Sequence, residues 1–215
     1  MKEPKKILVD FGGTIIRDDM LFDQITEKSG NMKHKWSSPK SWDKIRHIGD
    51  KNFFDKVKDK FFMMGDEYPG VMSAMSEFYG ENGLGSHSEI YVVYDNKPEL
   101  YKTQDVTLTR FAFAMSNRGL KFNGLYVERD KLHLTKQIRA SILVDDDPRV
   151  AIGCALAGIK VVLMMRKWNR FFDIDRLEFS MREDNLEKVK ENIVIVEDWF
   201  EAEIAISSII DEDIV

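Results

Sequence analysis

The sequence predicts a doubly wound, mostly parallel α/β sheet carrying a small inserted helical module. Three observations predict it. Short runs of Ile, Leu and Val alternate with helix-patterned segments along the chain. Two of those runs end in carboxylates, at Asp10 and at Asp145-Asp146-Asp147. A stretch of different composition, residues 17–66, interrupts the alternation just after the first run.

Taken in order, Ile7-Leu8-Val9 reads as a buried strand that runs through Asp10 into a tight turn at Gly12-Gly13. Residues 17–66 are rich in Lys, Asp, Trp and Phe, are broken by Ser37-Ser38-Pro39, and place Phe53, Phe54, Val57 and Phe61 at helical spacing. This is the inserted module. After Tyr68-Pro69-Gly70, the positions Val71, Met72, Met75, Phe78 and Tyr79 form one apolar helix face, closed by Asn82-Gly83 and Gly85. Ile90 to Tyr94 is the second strand. A helix with Leu108, Phe111, Ala112 and Met115 on one side follows, and Gly124 to Val127 is a third strand. Ser141-Ile142-Leu143-Val144 is the next strand, followed by a helix through Ala151 and Ala155 to Gly158 and by a strand from Lys160 to Met164. Ile193 to Val196 and a helix from Trp199 to Ile210 close the chain. Strand–helix units in succession imply parallel strands with crossover helices on both faces.

Composition narrows the function classes. At 215 residues, 43% hydrophobic and 32% charged with 5 Pro and 13 Gly, the chain has material for one main core plus an insertion and is not of low complexity. A net charge of −5 and a pI near 5.5 disfavour nucleic acid as a main partner. MKEPKK leads straight into the first strand without a secretory apolar region, and residues 152–165, interrupted by Lys160, are too short to span a bilayer. A cytoplasmic setting away from membranes is the expectation. Cys154, the one cysteine, lies in IGCALAG and reads as a small core residue. The four histidines, His34, His47, His87 and His133, lack ligand spacing, so zinc is not indicated. No feature of the sequence sets an oligomeric state.

If the strands ending at Asp10 and Asp145 are central and parallel, their acids converge where open α/β sheets bind ligands. Clustered carboxylates repel one another, and a cation among them relieves the repulsion. Mg²⁺ fits, because it takes oxygen ligands and is often held by one or two carboxylates together with a substrate phosphate. Acids at strand ends also cap the helices that follow, but a cap needs one carboxylate rather than three in a row. The Gly12-Gly13 turn offers backbone N–H groups that could cradle an anion.

ILVDFGGT at 7–14 and ILVDDDP at 142–148 resemble the first and last motifs of the haloacid dehalogenase superfamily of aspartyl-nucleophile phosphohydrolases. The resemblance runs along most of the chain, with 1–16 and 67–215 as the core and 17–66 where that superfamily inserts a helical cap. KVVLMMRKWNR at 160–170 is similar to a stretch of the 5'(3')-deoxyribonucleotidase branch, in which a Trp-Asn or Tyr-Asn pair is common. By this resemblance Asp10 is the nucleophile that forms an aspartyl-phosphate, and Asp145 and Asp146 hold Mg²⁺ together with Asp10 and the Gly12 carbonyl. Gly12, Gly13 and Thr14 lie against the phosphate. A lysine steadies nucleophile and phosphate. Lys136, nine residues ahead of Asp145, matches the family's usual gap, with Lys131 as the alternative.

Two positions depart from the family pattern. Gly12 stands where an Asp usually serves as general acid and base, which keeps a backbone carbonyl for the metal but removes a proton relay worth about 10²–10⁴-fold in rate. The second strand ends Tyr94-Asp95 where the family has a Ser or Thr that bonds phosphate, and those two residues stand in for it or serve as core aromatic and helix cap. The resemblance therefore implies a Mg²⁺-dependent phosphohydrolase of a small phosphomonoester, including a nucleoside monophosphate. A catalytically impaired relative that binds phosphate, Mg²⁺ or a protein partner is the alternative. A phosphonatase-like C–P hydrolase using a Schiff-base lysine among Lys28, Lys33, Lys35, Lys40, Lys44 and Lys51 is a third reading. Trp36, Trp42 and the module's phenylalanines either stack on a base or fill the module's own core.

Overall fold

The apolar runs form the middle layer of the molecule because each of them is covered on both faces, the pattern of a parallel sheet between helices. A computed structural model of the chain describes residues 3–17, 66–79, 88–94 and 104–212. Its strands are β1 (Lys5–Asp10), β2 (Ser88–Tyr94), β3 (Gly124–Val127), β4 (Ile142–Asp145), β5 (Lys160–Met164) and β6 (Ile193–Val196). The helices are α1 (Val71–Tyr79), α2 (Gln104–Asn117), α3 (Lys131–Ile138), α4 (Pro148–Leu156), α5 (Glu183–Asn192) and α6 (Trp199–Glu212), with a 3₁₀ turn at Asp175–Phe179. The six strands are ordered β3-β2-β1-β4-β5-β6, and every adjacent pair is parallel. The sequence led to a mostly parallel sheet; among the described residues it is wholly so.

Alternation along the strands sorts side chains into two apolar layers. Ile7, Val9, Ile90, Val92, Ile142, Val144 and Val162 face one way, against Val71, Ala74, Met75 and Phe78 of α1 and Trp199, Ala202, Ile206 and Ile210 of α6. Leu8, Val93, Leu143, Val161 and Leu163 face the other, against Leu134 of α3, Ala151, Cys154 and Ala155 of α4 and Val189 of α5. Cys154 is fully buried, and burial followed by the nearby Asp145 charge pushes its thiol up to about 11. It is a core residue.

The order 3-2-1-4-5-6 has one switch point. From β1 the chain builds outward to β2 and β3, then crosses back to place β4 on the other side of β1. Ile7 pairs with Ile142 and Val9 with Val144, so Asp10 and Asp145 follow side by side at the carboxyl edge. The crevice in which such sheets bind ligands opens there.

Beyond β1 the chain turns at Gly12–Ile16 and meets its own return leg. Arg17 N donates to Asp66 O, Tyr68 N donates to Ile15 O, and Ile16 bridges Glu67 in antiparallel fashion. The segment between 17 and 66 thus departs and rejoins at one point, beside the switch crevice. The cap expected at 17–66 falls almost entirely outside the described residues, as do Asp95 and the turn at Asn82-Gly83.

Candidate active site

Asp10 ends β1 and Asp145 ends β4, both enclosed, at 5% and 0% exposure. Asp146 follows in the turn, half-buried. One carboxylate oxygen from each of the three lies within 4.8 Å of the others. Lys131 comes to this cluster from the first position of α3, and its Nζ is 3.0 Å from Asp10 Oδ1 and 2.8 Å from Asp145 Oδ2. Asp145 Oδ1 in turn accepts from the Asp147 backbone N–H at 2.8 Å. Asp147 caps α4 by accepting from Arg149 N, and Pro148 occupies the first turn, where its missing N–H costs nothing.

Lys131 rather than Lys136 reaches the acids for a reason of helix geometry. The loop 128–130 after β3 delivers the chain to the carboxyl edge, and Asp130 caps α3 by accepting from His133 N at 2.9 Å. The first helical residue therefore stands at the edge itself. Five residues on, Lys136 is about 7.5 Å down the axis and roughly 140° around it, and it is exposed.

Burial pushes the Asp10 carboxyl well above the usual carboxylate range; Lys131 offsets part of this, and the charges of Asp145 and Asp146 add to it. Asp145 is raised by burial in the same way, against the pull of Lys131. Burial alone would depress Lys131, but Asp10, Asp145 and Asp146 around it hold it above its ordinary value, so it stays a cation. Three carboxylates that can each bring an oxygen within 4.8 Å of the others are a set of hard donors of the kind that suits a divalent cation of the Mg²⁺ type.

The turn after β1 differs from a phosphate cradle in two respects. Gly13 N–H, expected to be available to an anion, donates to Ile16 O at 3.0 Å because the turn closes on itself. Thr14, expected against the phosphate, is fully enclosed; its carbonyl accepts from Trp199 Nε1 at 2.8 Å, and among the described residues its hydroxyl has no hydrogen-bond partner. Gly12 is half-buried and brings no side chain to the crevice. Tyr94 ends β2 with its ring in the apolar layer, edge-on to Phe11 at 6.1 Å between centroids. Asp95 lies outside the described residues.

A second group of residues, from the 160–170 stretch to which the sequence reading assigned a resemblance but no site role, closes over this turn from the loop after β5. Arg166 is buried; its Nε donates to Gly13 O at 2.7 Å, its Nη1 donates to Met165 O and Glu197 O, and its guanidinium lies 3.8 Å above the Tyr68 ring. Trp168 Nε1 donates to Asp146 Oδ2, while Asn169 Nδ2 donates to Asp146 O and Met164 O and Asn169 Oδ1 accepts from Arg166 N. Gly13 is held beneath them at φ +75°, and a Cβ there would meet Asp146 Oδ2 at 2.6 Å and Trp168 at 2.8 Å. Only glycine fits.

A conserved haloacid dehalogenase-like protein of unknown function from Agrobacterium tumefaciens superposes with a TM-score of 0.57 at 12% identity, covering 96% of this chain and 99% of its own. The chain has the haloacid dehalogenase-like fold. A predicted phosphatase from Clostridium acetobutylicum shares it, with a TM-score of 0.53 at 12% identity over 96% of this chain and 100% of that one. So does CbbY from Rhodobacter sphaeroides in complex with xylulose-(1,5)-bisphosphate, at 0.53 and 9% identity over 91% and 95%. No protein-family model matches the chain, and no curated protein matches it. Within this fold, the acids and Lys131 stand at the switch crevice.

Proposed function

We propose that this protein is a Mg²⁺-dependent phosphohydrolase that acts on a small phosphomonoester through an aspartyl-phosphate on Asp10. The observation that carries this reading is the buried contact of Lys131 with both Asp10 and Asp145 beside Asp146, at the switch point of the sheet. Asp10, Asp145, Asp146 and the Gly12 carbonyl would hold the cation, which when bound neutralises charge on the transferring phosphoryl group. Asp10 attacks phosphorus in line, forming the acyl-phosphate bond as the P–O bond to the leaving group breaks. Lys131 favours the ionised form of the attacking carboxylate and orients it, since a fixed cation in a dry site acts with little reorganisation. Position 12 offers no side-chain proton donor, so the departing oxygen takes its proton from water. A nucleoside monophosphate is the substrate class favoured by the resemblance of residues 160–170 to the nucleotidase branch.

A second reading rests on Gly12 and on the buried ring of Tyr94: the same pocket binds cation and phosphate without turnover. Phosphate release from nucleoside monophosphates, sugar phosphates and an aryl phosphate, with and without Mg²⁺, separates the two. The proposal expects Mg²⁺-dependent release that is lost in Asp10→Asn. Release that survives in Asp10→Asn, or binding of Mg²⁺ and phosphate with no release from any substrate, contradicts it.

A further inference from the structure

Asn169 is a polar side chain almost closed to water, at 5% exposure. Its Oδ1 accepts from Arg166 N at 2.6 Å, and its Nδ2 donates to Met164 O and to Asp146 O, each at 2.8 Å. One N–H and two carbonyls as partners settle which way the amide faces. Met164 is the last residue of β5, so this side chain ties the end of that strand to the acidic turn after β4. The bond to Asp146 O acts on a single peptide plane, whose carbonyl belongs to residue 146 and whose N–H belongs to Asp147. In a trans peptide those two groups point in opposite directions. The oxygen side meets Asn169, and the N–H side donates to Asp145 Oδ1 at 2.8 Å. Asp145 Oδ2 takes Lys131 Nζ at 2.8 Å, and the same Nζ stands 3.0 Å from Asp10 Oδ1.

We infer that Asn169 is a positioning residue: through the peptide plane between residues 146 and 147 it sets the carboxylate of Asp145, and through Asp145 and Lys131 it reaches Asp10. Two physical effects carry the coupling. The plane is rigid, so a carbonyl held by Asn169 also aims the opposite N–H at Oδ1. A carbonyl that accepts a hydrogen bond polarises its own peptide, which makes that N–H a stronger donor. Without the Asn169 amide the turn keeps its sequence and loses the bond from β5 that fixes the plane. The consequence for a cation rests on the site proposed above: groups that orient a ligating carboxylate from behind commonly carry 10- to 100-fold of metal affinity.

The test takes two readings on the full chain, the Asp147 amide proton resonance in ¹⁵N-labelled, ion-free protein and calorimetric titration with MgCl₂, in wild type, Asn169→Ala, Asn169→Ser and Asn123→Ala. Asn169→Ser is the second variant should the alanine not fold. Asn123→Ala removes a comparable bond, Asn123 Oδ1 accepting from Ile90 N at 2.7 Å, at the amino end of β3 and so at the opposite edge of the sheet. The expected result in Asn169→Ala is an upfield move of the Asp147 amide proton and a roughly 10- to 100-fold weaker Mg²⁺ affinity, with both changes in the same direction in Asn169→Ser. Asn123→Ala should lower the melting midpoint and leave both readings in place. An unmoved Asp147 amide or an unchanged Mg²⁺ affinity in a folded Asn169 variant, or an equal loss of affinity in Asn123→Ala, overturns the inference. A wild type that binds no Mg²⁺ defeats the cation site, and the amide resonance then decides the role of Asn169 by itself.

Discussion

Asp10 and Lys131 show how the environment of one side chain sets its chemistry. A carboxyl enclosed in the sheet edge is raised by burial, and one lysine shared with Asp145 does not fully reverse this. The sign of the consequence is fixed. A carboxyl whose pKa is raised on folding binds its proton more tightly in the native state, so the ion-free protein loses stability as pH rises from the ordinary carboxylate value through the raised one. A divalent cation favours the ionised form. Thermal melts should therefore show Mg²⁺ raising the midpoint more at about pH 8 than at about pH 5, with that pH dependence flattened in Asp10→Asn. Equal stabilisation at both values would contradict the electrostatic account. Asp10, Asp145 and Asp146 were legible in the sequence because strand-terminal acids next to glycine or proline are local signals. The partner lysine was narrowed only to two, Lys136 and Lys131. Counting residues back from Asp145 selects Lys136, whereas the position that matters is the first turn after β3, where Lys131 follows the cap at Asp130.

At the scale of elements, α4 is the helix that carries the acidic turn into the core. Asp147 caps it, and although burial works to raise the Asp147 carboxyl, hydrogen bonds from the Arg149 side chain and backbone outweigh that and hold it below its ordinary value. Asp147→Ala should lower the stability of the protein by about 1 kcal/mol in urea unfolding, the usual worth of a side-chain N-cap. A change within a few tenths of that figure around zero would mean that Pro148 and the sheet contacts hold the turn without it. The strands were readable from continuous Val, Ile and Leu runs, since parallel strands are buried on both faces. α5 was not, because EDNLEKVKEN contributes only Val189 to the core and its charged face hides the period. On α2 the sequence placed Leu108 on the inner face with Met115; Met115 and Ala114 are buried while Leu108 is 39% exposed. The residues of the β5 loop were visible only as a resemblance, because the contacts of Arg166 and Asn169 with Gly13 and Asp146 join positions 153 and 23 apart in the chain.

For the molecule as a whole, the sheet order puts the ends of β1 and β4 together, and the loops after β1, β4 and β5 converge on that point with Lys131 of α3. At 9–12% identity to solved structures of the same fold, what is shared is the course of the backbone. Tyr94 packs in the core against Phe11, and Gly12 lies in the turn after β1. On the proposed mechanism, a position 12 without a carboxylate to activate water would slow the second half of the reaction, hydrolysis of the acyl-phosphate, more than the first attack at Asp10. The intermediate should then accumulate. Acid-quenched mass spectrometry of the protein incubated with Mg²⁺ and an aryl phosphate tests this directly: a phosphoryl adduct on the peptide carrying Asp10, absent without Mg²⁺ and absent in Asp10→Asn, is the predicted result. Phosphate release with no adduct at Asp10, or an adduct that persists in Asp10→Asn, would contradict it.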